Sequence, residues 1–220
     1  MNVLLFNGSP RKNWNTAKLL ESAAKGAASA GAETELVHLY DLSYTGCKSC
    51  FACKLKNNKT DGICIVRDGL RPILERTKEA DVIIVGAPVY FSHPSGQTES
   101  FLERLLFPLY SYRYENGKPA IHPHQAKASG LILTMNCPED LFQSIGYDKL
   151  LAPAAQMMET VYGKHETLFV KDTCQFADYS KYDNTLFDPV HKEQRKQEVF
   201  PQELQRAYDM GRRLVEETIA

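Results

Sequence analysis

The chain has 220 residues, 43% apolar, 24% charged and 10% aromatic, the make-up of a soluble globular protein long enough to bury a sizeable core. Its 26 Lys and Arg against 27 Asp and Glu leave a net charge of −1, so no overall field draws a polyanion and nucleic acid is not an expected partner. The longest apolar stretches, Val82–Val85 and Ala87–Phe91, are broken by Gly86 and Pro88 and fall short of the ~20 residues of a membrane span. No basic region precedes the short apolar start, and Asn7 and Arg11 follow it at once, so no signal peptide is expected and the cytoplasm is the expected compartment. Of the six cysteines, four crowd between Cys47 and Cys64, which in a reducing compartment points to metal or redox chemistry.

Strand-length apolar runs fall at Asn2–Asn7, Glu33–Leu39, Asp81–Gly86, Gly130–Met135 and Glu166–Val170. The first, third and fourth are nearly continuous, as strands are when helices cover both faces of a parallel sheet. Helical spacing fills the gaps. Thr16–Ala30 carries Leu19, Leu20, Ala23, Ala24, Ala27 and Ala28 three and four apart, with Gly31 as a stop. Leu70–Glu79, Gly96–Leu106 and Gly146–Thr160 follow, and a stripe from Leu204 through Ala207, Gly211 and Leu214 to Ile219 closes the chain. This βα alternation, with right-handed crossovers, predicts one α/β domain: a three-layer α/β/α sandwich on a five-stranded parallel sheet. Residues 47–68, 109–127 and 171–199 are excursions from it. The last two hold Tyr110, Tyr112, Tyr114, Phe176, Tyr179 and Tyr182 amid charges and prolines, a mix found in packed loops, interfaces and ligand lids.

Ligands of such sheets sit outside the carboxyl ends of the strands. The loop after the first strand, Asn7-Gly8-Ser9-Pro10-Arg11-Lys12-Asn13-Trp14-Asn15-Thr16, contains neither G-x-G-x-x-G nor G-x-x-x-x-G-K-[ST], which disfavours a dinucleotide fold or a triphosphatase. It offers Ser9, Asn15 and Thr16 as donors, helix-start amides, and Arg11 as a bidentate cation, a set suited to one terminal phosphate. The bland alternative is that Ser9 and Asn15 turn and cap the chain. The loop after the third strand is stiffened by Pro88 and Pro94 and presents Val89, Tyr90 and Phe91, with Ser95 and Gly96 opening the next helix, a setting for a planar heterocycle. Thr134, Met135 and Asn136, at the end of the fourth strand, can reach the other side of that ring.

GSPR…NT after the first strand, APVYF…SG after the third and TMN after the fourth, in this order, resemble the flavodoxin-fold NAD(P)H-dependent FMN reductases, in particular the branch that includes the iron–sulfur flavoproteins. The likeness covers about residues 1–170. It implies a flavodoxin-like fold and bound FMN, with Ser9, Arg11, Asn15 and Thr16 on the phosphate and Pro88, Val89, Tyr90, Phe91, Ser95 and Gly96 around the isoalloxazine. Trp14 stands where the family usually has a small hydroxyl residue.

Cys47, Cys50, Cys53 and Cys64 form C-x2-C-x2-C-x10-C. Recurrence every third residue puts the first three sulfurs on neighbouring parts of one face of a short helix or turn. In the iron–sulfur flavoproteins that this segment resembles, a compact motif of this kind holds a [4Fe-4S] cubane, with a shorter last gap. Here Lys54–Gly62 is a long polar spacer, so a cluster, a tetrathiolate zinc and unligated or oxidised thiols all remain readings. Cys137 and Cys174 read as isolated thiols, His93 as a loop histidine able to meet a ring or substrate, His122 and His124 as a weak metal signal, and Glu99, Glu103 and Arg104 as a solvated helix face.

The expected function is that of an FMN-dependent oxidoreductase passing electrons from NAD(P)H through FMN to a small-molecule acceptor such as a quinone, flavin or azo/nitro compound. Because the cofactor carries the chemistry, no catalytic side chain is named. An electron carrier relaying through a cluster is the alternative. A non-enzymatic regulator on the same fold predicts a broken phosphate loop, which this is not. A homodimer or homotetramer is expected, with the aromatic excursions covering the flavin.

Overall fold

The apolar runs become strands where both faces find helices to bury them, and a computed structural model shows how they are arranged for residues 1–57, 59–122 and 124–219. Asn58 and Pro123, inside two of the expected excursions, and Ala220 and the side chain of Ile219, at the end of the last apolar stripe, lie outside the described residues. The elements run β1 (Asn2–Asn7), α1 (Asn15–Ser29), β2 (Glu33–His38), α2 (Arg71–Arg76), β3 (Val82–Tyr90), β4 (His93–Pro94), α3 (Gly96–Leu106), β5 (Tyr110–Glu115), β6 (Lys118–Ile121), β7 (Ala128–Thr134), α4 (Glu139–Ile145), α5 (Tyr147–Tyr162), β8 (Lys164–Val170), α6 (Pro189–Glu198) and α7 (Phe200–Ile219).

Five parallel strands in the order β2-β1-β3-β7-β8 form the central sheet, with β4 added antiparallel to the end of β3. This is the flavodoxin-like arrangement expected from the alternation of elements. On one face, Val3, Leu5, Ile84 and Ile132 pack under α1 and α7; on the other, Phe6, Val85 and Leu131 pack under α2, α3 and α5. Each such large apolar side chain contributes about 1.5–3 kcal/mol by leaving water. The small-residue stripe of α1 has a specific reason. A Cβ on Gly26 would lie 1.9 Å from the Tyr208 carbonyl oxygen of α7, and one on Gly211 would lie 2.0 Å from that of Ala23, so the two helices approach as closely as backbones can.

Three expectations need correction. The third strand does not stop at Gly86 but continues to Tyr90 and folds back as β4, pairing Val89 with Pro94 and Tyr90 with His93. The helix expected from Gly146 is preceded by a separate short one, α4, because Gly146 adopts a left-handed φ of 72° that ends one helix and starts the next. The 109–127 excursion is largely a β-hairpin, β5–β6, turning at Asn116 and Gly117 with φ of 52° and 78°. Asn-Gly is the preferred pair for that turn, so the signal stood in the sequence.

Candidate functional site

Parallel registration sets the site. Asn7 pairs with Gly86, and Pro88 pairs with Thr134, so the loops leaving β1, β3 and β7 emerge side by side. They are bound to one another. The Gly8 amide donates to the Gly86 carbonyl at 2.8 Å, and Ser95 Oγ donates back to the Gly8 carbonyl at 2.6 Å. Ser95 also caps α3 and lies 2.9 Å from Thr98 Oγ1. A Cβ on Gly8 would fall 1.8 Å from that Thr98 oxygen, so a side chain there would displace the Thr98 hydroxyl from Ser95. Thr16 and Thr134, both buried, share a hydroxyl hydrogen bond of 2.7 Å that ties the start of α1 to the end of β7.

Within the first loop, buried Asn7 accepts from the Ser9 amide at 3.0 Å, and Ser9 Oγ accepts from the Arg11 amide at 3.2 Å. These short-range bonds curl the chain before α1. Trp14 occupies the N-cap position and its side chain does not cap the helix, so the first-turn amides of α1 are left for another acceptor. The predicted phosphate residues Ser9, Arg11, Asn15 and Thr16 are therefore gathered at one helix start. The predicted ring residues divide differently. Tyr90 is about half exposed and Phe91 is 99% exposed, and Phe91 and Ser92 sit at the hairpin tip with left-handed φ of 48° and 68°. A bulky aromatic held in that region and fully in solvent is strained, and such strain concentrates where ligands bind. Met135 is buried below the site, while Asn136 stands at its edge with a buried Oδ1 that has no partner.

Part of the expected 171–199 excursion, residues 172–182, closes over the first loop, and its bonds to Arg11, Trp14 and Asn15 were not read from the sequence. Arg11 Nη1 donates to the Gln175 carbonyl at 2.7 Å, and its guanidinium lies 4.5 Å from the centre of the Trp14 ring. Trp14 Nε1 and Asn15 Nδ2 both donate to the Cys174 carbonyl, at 3.0 and 2.9 Å. Burial lowers the Arg11 guanidinium from its ordinary value, opposed by Tyr90, Tyr182 and Tyr179; it stays charged. Phe176 stacks on Tyr182 at 3.8 Å between centroids. This segment is pinned from beneath by α6. Lys192, 2% exposed, donates to the Asp172 carboxylate and, at 3.2 Å, to the Asn136 carbonyl. The only sequence signal was the aromatic content of the tail.

The cysteine segment is built otherwise. Cys47, Cys50 and Cys53 are not on one helix; Ser49 and Phe51 have left-handed φ of 50° and 53°, and a single 3-10 turn covers Ala52–Lys54. All four cysteines nonetheless border one cavity of about 20 Å³ against α3. Cys47 and Cys50 are exposed and Cys64 is buried. Among the described residues no three His, Cys, Asp or Glu side chains are set so as to hold a metal ion. The stems of the segment are held by Arg104, which is 1% exposed and donates to the Thr45 and Val66 carbonyls and to Asp68 Oδ1, at 3.0, 3.1 and 3.0 Å. The expectation of a solvated Glu99–Glu103–Arg104 face fails at Arg104 for that reason. Burial also raises the Glu99 carboxyl, whereas Glu103 is exposed and accepts from the Cys47 amide at 2.8 Å. His124 bonds the His122 carbonyl at 3.0 Å and meets the Tyr162 ring edge-on, which is packing.

A flavin mononucleotide fits what is present at the strand ends: uncapped α1 amides and Arg11 for a phosphate, and the unpartnered Asn136 oxygen for a ligand donor. A cluster fits the cysteine segment in ligand type but not in placement. The model of a family described as NADPH-dependent FMN reductase matches residues 1–161. An iron-sulfur flavoprotein of Archaeoglobus fulgidus is 39% identical over 104 residues, 47% of this chain and 48% of that protein. One of Methanocaldococcus jannaschii is 38% identical over 104 residues, 47% of this chain and 51% of that one. The chain is thus matched to about half the length of these relatives. Among solved structures, an NAD(P)H:quinone oxidoreductase from Methanothermobacter marburgensis superimposes with a TM-score of 0.68 at 15% identity, covering 97% of this chain and 96% of the other. An azoreductase from Bacillus anthracis gives 0.64 at 13% identity, over 96% and 99%. At such identities these two speak to the fold. No helix among the described residues is long and apolar enough to cross a membrane.

Proposed function

The chain belongs to the NADPH-dependent FMN reductase family, and on that premise we propose that it is a cytoplasmic, single-domain FMN-dependent oxidoreductase that takes electrons from NAD(P)H and passes them to a small-molecule acceptor. Quinones, free flavins and azo or nitro compounds are the acceptor classes. The observation that carries the reading is the convergence of Ser9, Arg11, Asn15, Thr16 and the uncapped start of α1 beside a strained aromatic hairpin. When bound, FMN supplies the two-electron chemistry between donor and acceptor. The residues of the chain hold and shield it. Arg11, Asn15 and the α1 amides would take the phosphate, which requires Arg11 and Asn15 to exchange the Gln175 and Cys174 carbonyls for phosphate oxygens. Pro88, Val89, Tyr90 and Phe91 would flank the ring, with Ser95 and Gly96 fixing the hairpin to α3, and Thr134, Met135 and Asn136 would close the far edge. Anaerobic purification followed by a visible spectrum and flavin analysis tests this: one FMN per chain supports it, and a colourless chain that takes up no added FMN overturns it.

A second reading rests on the four cysteines around one cavity and on the names of the relatives: an iron–sulfur flavoprotein acting as an electron carrier, in which Cys47, Cys50, Cys53 and Cys64 would have to draw together to ligate a [4Fe-4S] cluster. About four irons and four sulfides per chain would establish it; flavin without iron or sulfide would leave the simple reductase. A homodimer or homotetramer is part of the proposal, and the mass in solution by light scattering tests it.

A further inference from the structure

A second, larger hollow lies on the α3–α5 side of the molecule, away from the α1 start. Its volume is about 710 Å³, within the range of small-molecule sites. The walls are apolar: Leu102 and Leu106 of α3, Leu151 and Ala154 of α5, and the rings of Phe107 and Tyr110. One rim is the hairpin that presents Phe91, through His93 and Pro94; the other is the cysteine segment, through Cys47 and Phe51. The ionisable side chains on the lining are Glu99, Glu103, His93, Cys47 and two tyrosines, and neither Lys nor Arg is among them. Lys54 stands behind the wall, over the Phe107 ring at 4.1 Å, with its ammonium engaged by the Phe107 and Tyr110 carbonyls. Apolar walls that include aromatic rings, with carboxylates and no cation on the lining, suit an apolar ring without negative charge and repel an anion.

We propose that this hollow binds a planar bicyclic aromatic molecule that is uncharged or cationic, and that Glu99 and Glu103 select against anionic rings. The site is distinct from the phosphate end of the strand loops, which Arg11 makes positive. It rests on the reductase reading only for the role of the guest, which there is the electron acceptor. Glu99 is the sharper of the two selectors. It is partly buried within the hollow, next to His93 and Glu103, where water screens it less than it screens exposed Glu103.

The test is calorimetric titration of the FMN-loaded protein at pH 7 with 2-naphthol, N-methylquinolinium and naphthalene-2-sulfonate, three bicyclic probes of different charge that do not alkylate thiols. The neutral and cationic probes should bind at least about tenfold more tightly than the sulfonate. Glu99→Gln should narrow that gap severalfold, and Ala154→Trp should abolish binding of all three. Because a core-side tryptophan can disturb folding, Met157→Lys at the half-exposed rim provides a second probe and should weaken the quinolinium relative to the sulfonate. Equal affinity for the three probes, or binding that neither Ala154→Trp nor Met157→Lys alters, overturns the proposal, as does failure of 2-naphthol to bind because a second copy of the chain covers the hollow. Flavin absorbance of the same samples separates the two readings. FMN retained without naphthol binding refutes the hollow and spares the reductase; naphthol bound by a chain that cannot hold FMN does the reverse.

Discussion

The strand-end loops and the cysteine segment both gather residues far apart in sequence, but by different means. At the strand ends the work is done by backbone register. Once Asn7 pairs with Gly86 and Pro88 with Thr134, the positions of Gly8, Ser95 and Thr16 follow, and their hydrogen bonds are short and buried. The cysteine segment has no strand beneath it. One side chain, Arg104, grips both of its stems, and between them the chain turns through left-handed Ser49 and Phe51 with its first two thiols in solvent. A site on a sheet inherits its geometry from the fold, whereas a site on a strap depends on a few contacts that a ligand can remodel.

Removing those contacts separates the two regions. The largest effect is expected for Arg104→Ala, which leaves Asp68 without its buried partner and frees the Thr45 and Val66 carbonyls: about 3–5 kcal/mol by denaturant unfolding. Cys64 should then become reactive to thiol reagents while flavin binding at the strand ends persists; simultaneous loss of both would show that the regions are one unit. Gly8→Ala is the converse. Its methyl must push the buried Thr98 hydroxyl away from Ser95, so a loss of about 1–3 kcal/mol is expected, with flavin binding impaired and Cys64 reactivity unchanged. Arg11→Ala removes the bond to the Gln175 carbonyl and the contact with the Trp14 ring, so a stability loss of about 0.5–1.5 kcal/mol is expected, while FMN weakens by about 1.5–3 kcal/mol in a fluorescence titration; an unchanged affinity would remove Arg11 from the phosphate.

The smallest effect concerns pH and belongs to the sheet. Burial between Ser129 and Thr167 pulls His165 down to about 4 from its ordinary 6.5. The unfolded chain therefore takes the proton first, and the stabilisation, complete above about pH 6.5, is lost as pH falls toward 4. His124 shifts in the same direction, whereas the lowered carboxyls of Asp68 and Asp172 act only below their ordinary 3.8. His165→Asn should flatten the acid limb by less than about 2 kcal/mol, screening by solvent included. An unaltered limb in equilibrium unfolding between pH 6.5 and 4 would place the sensitivity elsewhere.

What the sequence disclosed follows the same division. The three-layer sandwich on a parallel sheet was legible because continuous apolar strands need helices on both faces and α1 carries a stripe of small residues, and the GSPR and APVYF loops fall where such sheets bind ligands. The closure of residues 172–182 over Arg11 was not legible. Its bonds run from side chains to backbone carbonyls some 160 residues away, Arg11 to Gln175 and Asn15 to Cys174, and carbonyl acceptors carry no residue signature. Arg104 hid for a related reason: beside Glu99 and Glu103 it reads as surface charge, and only the fold brings Asp68 and the carbonyls of Thr45 and Val66 to it. The hairpin at Phe91 and Ser92 escaped because neither residue favours the left-handed turn they make.

The proposed FMN site lies at the strand-end loops. Titrating flavin-stripped protein with FMN, followed by quenching of flavin fluorescence, measures it directly. Saturation at one FMN per chain is expected, with riboflavin, which lacks the phosphate, bound at least about tenfold more weakly. Equal affinity for FMN and riboflavin, or no saturable quenching by either, would contradict it.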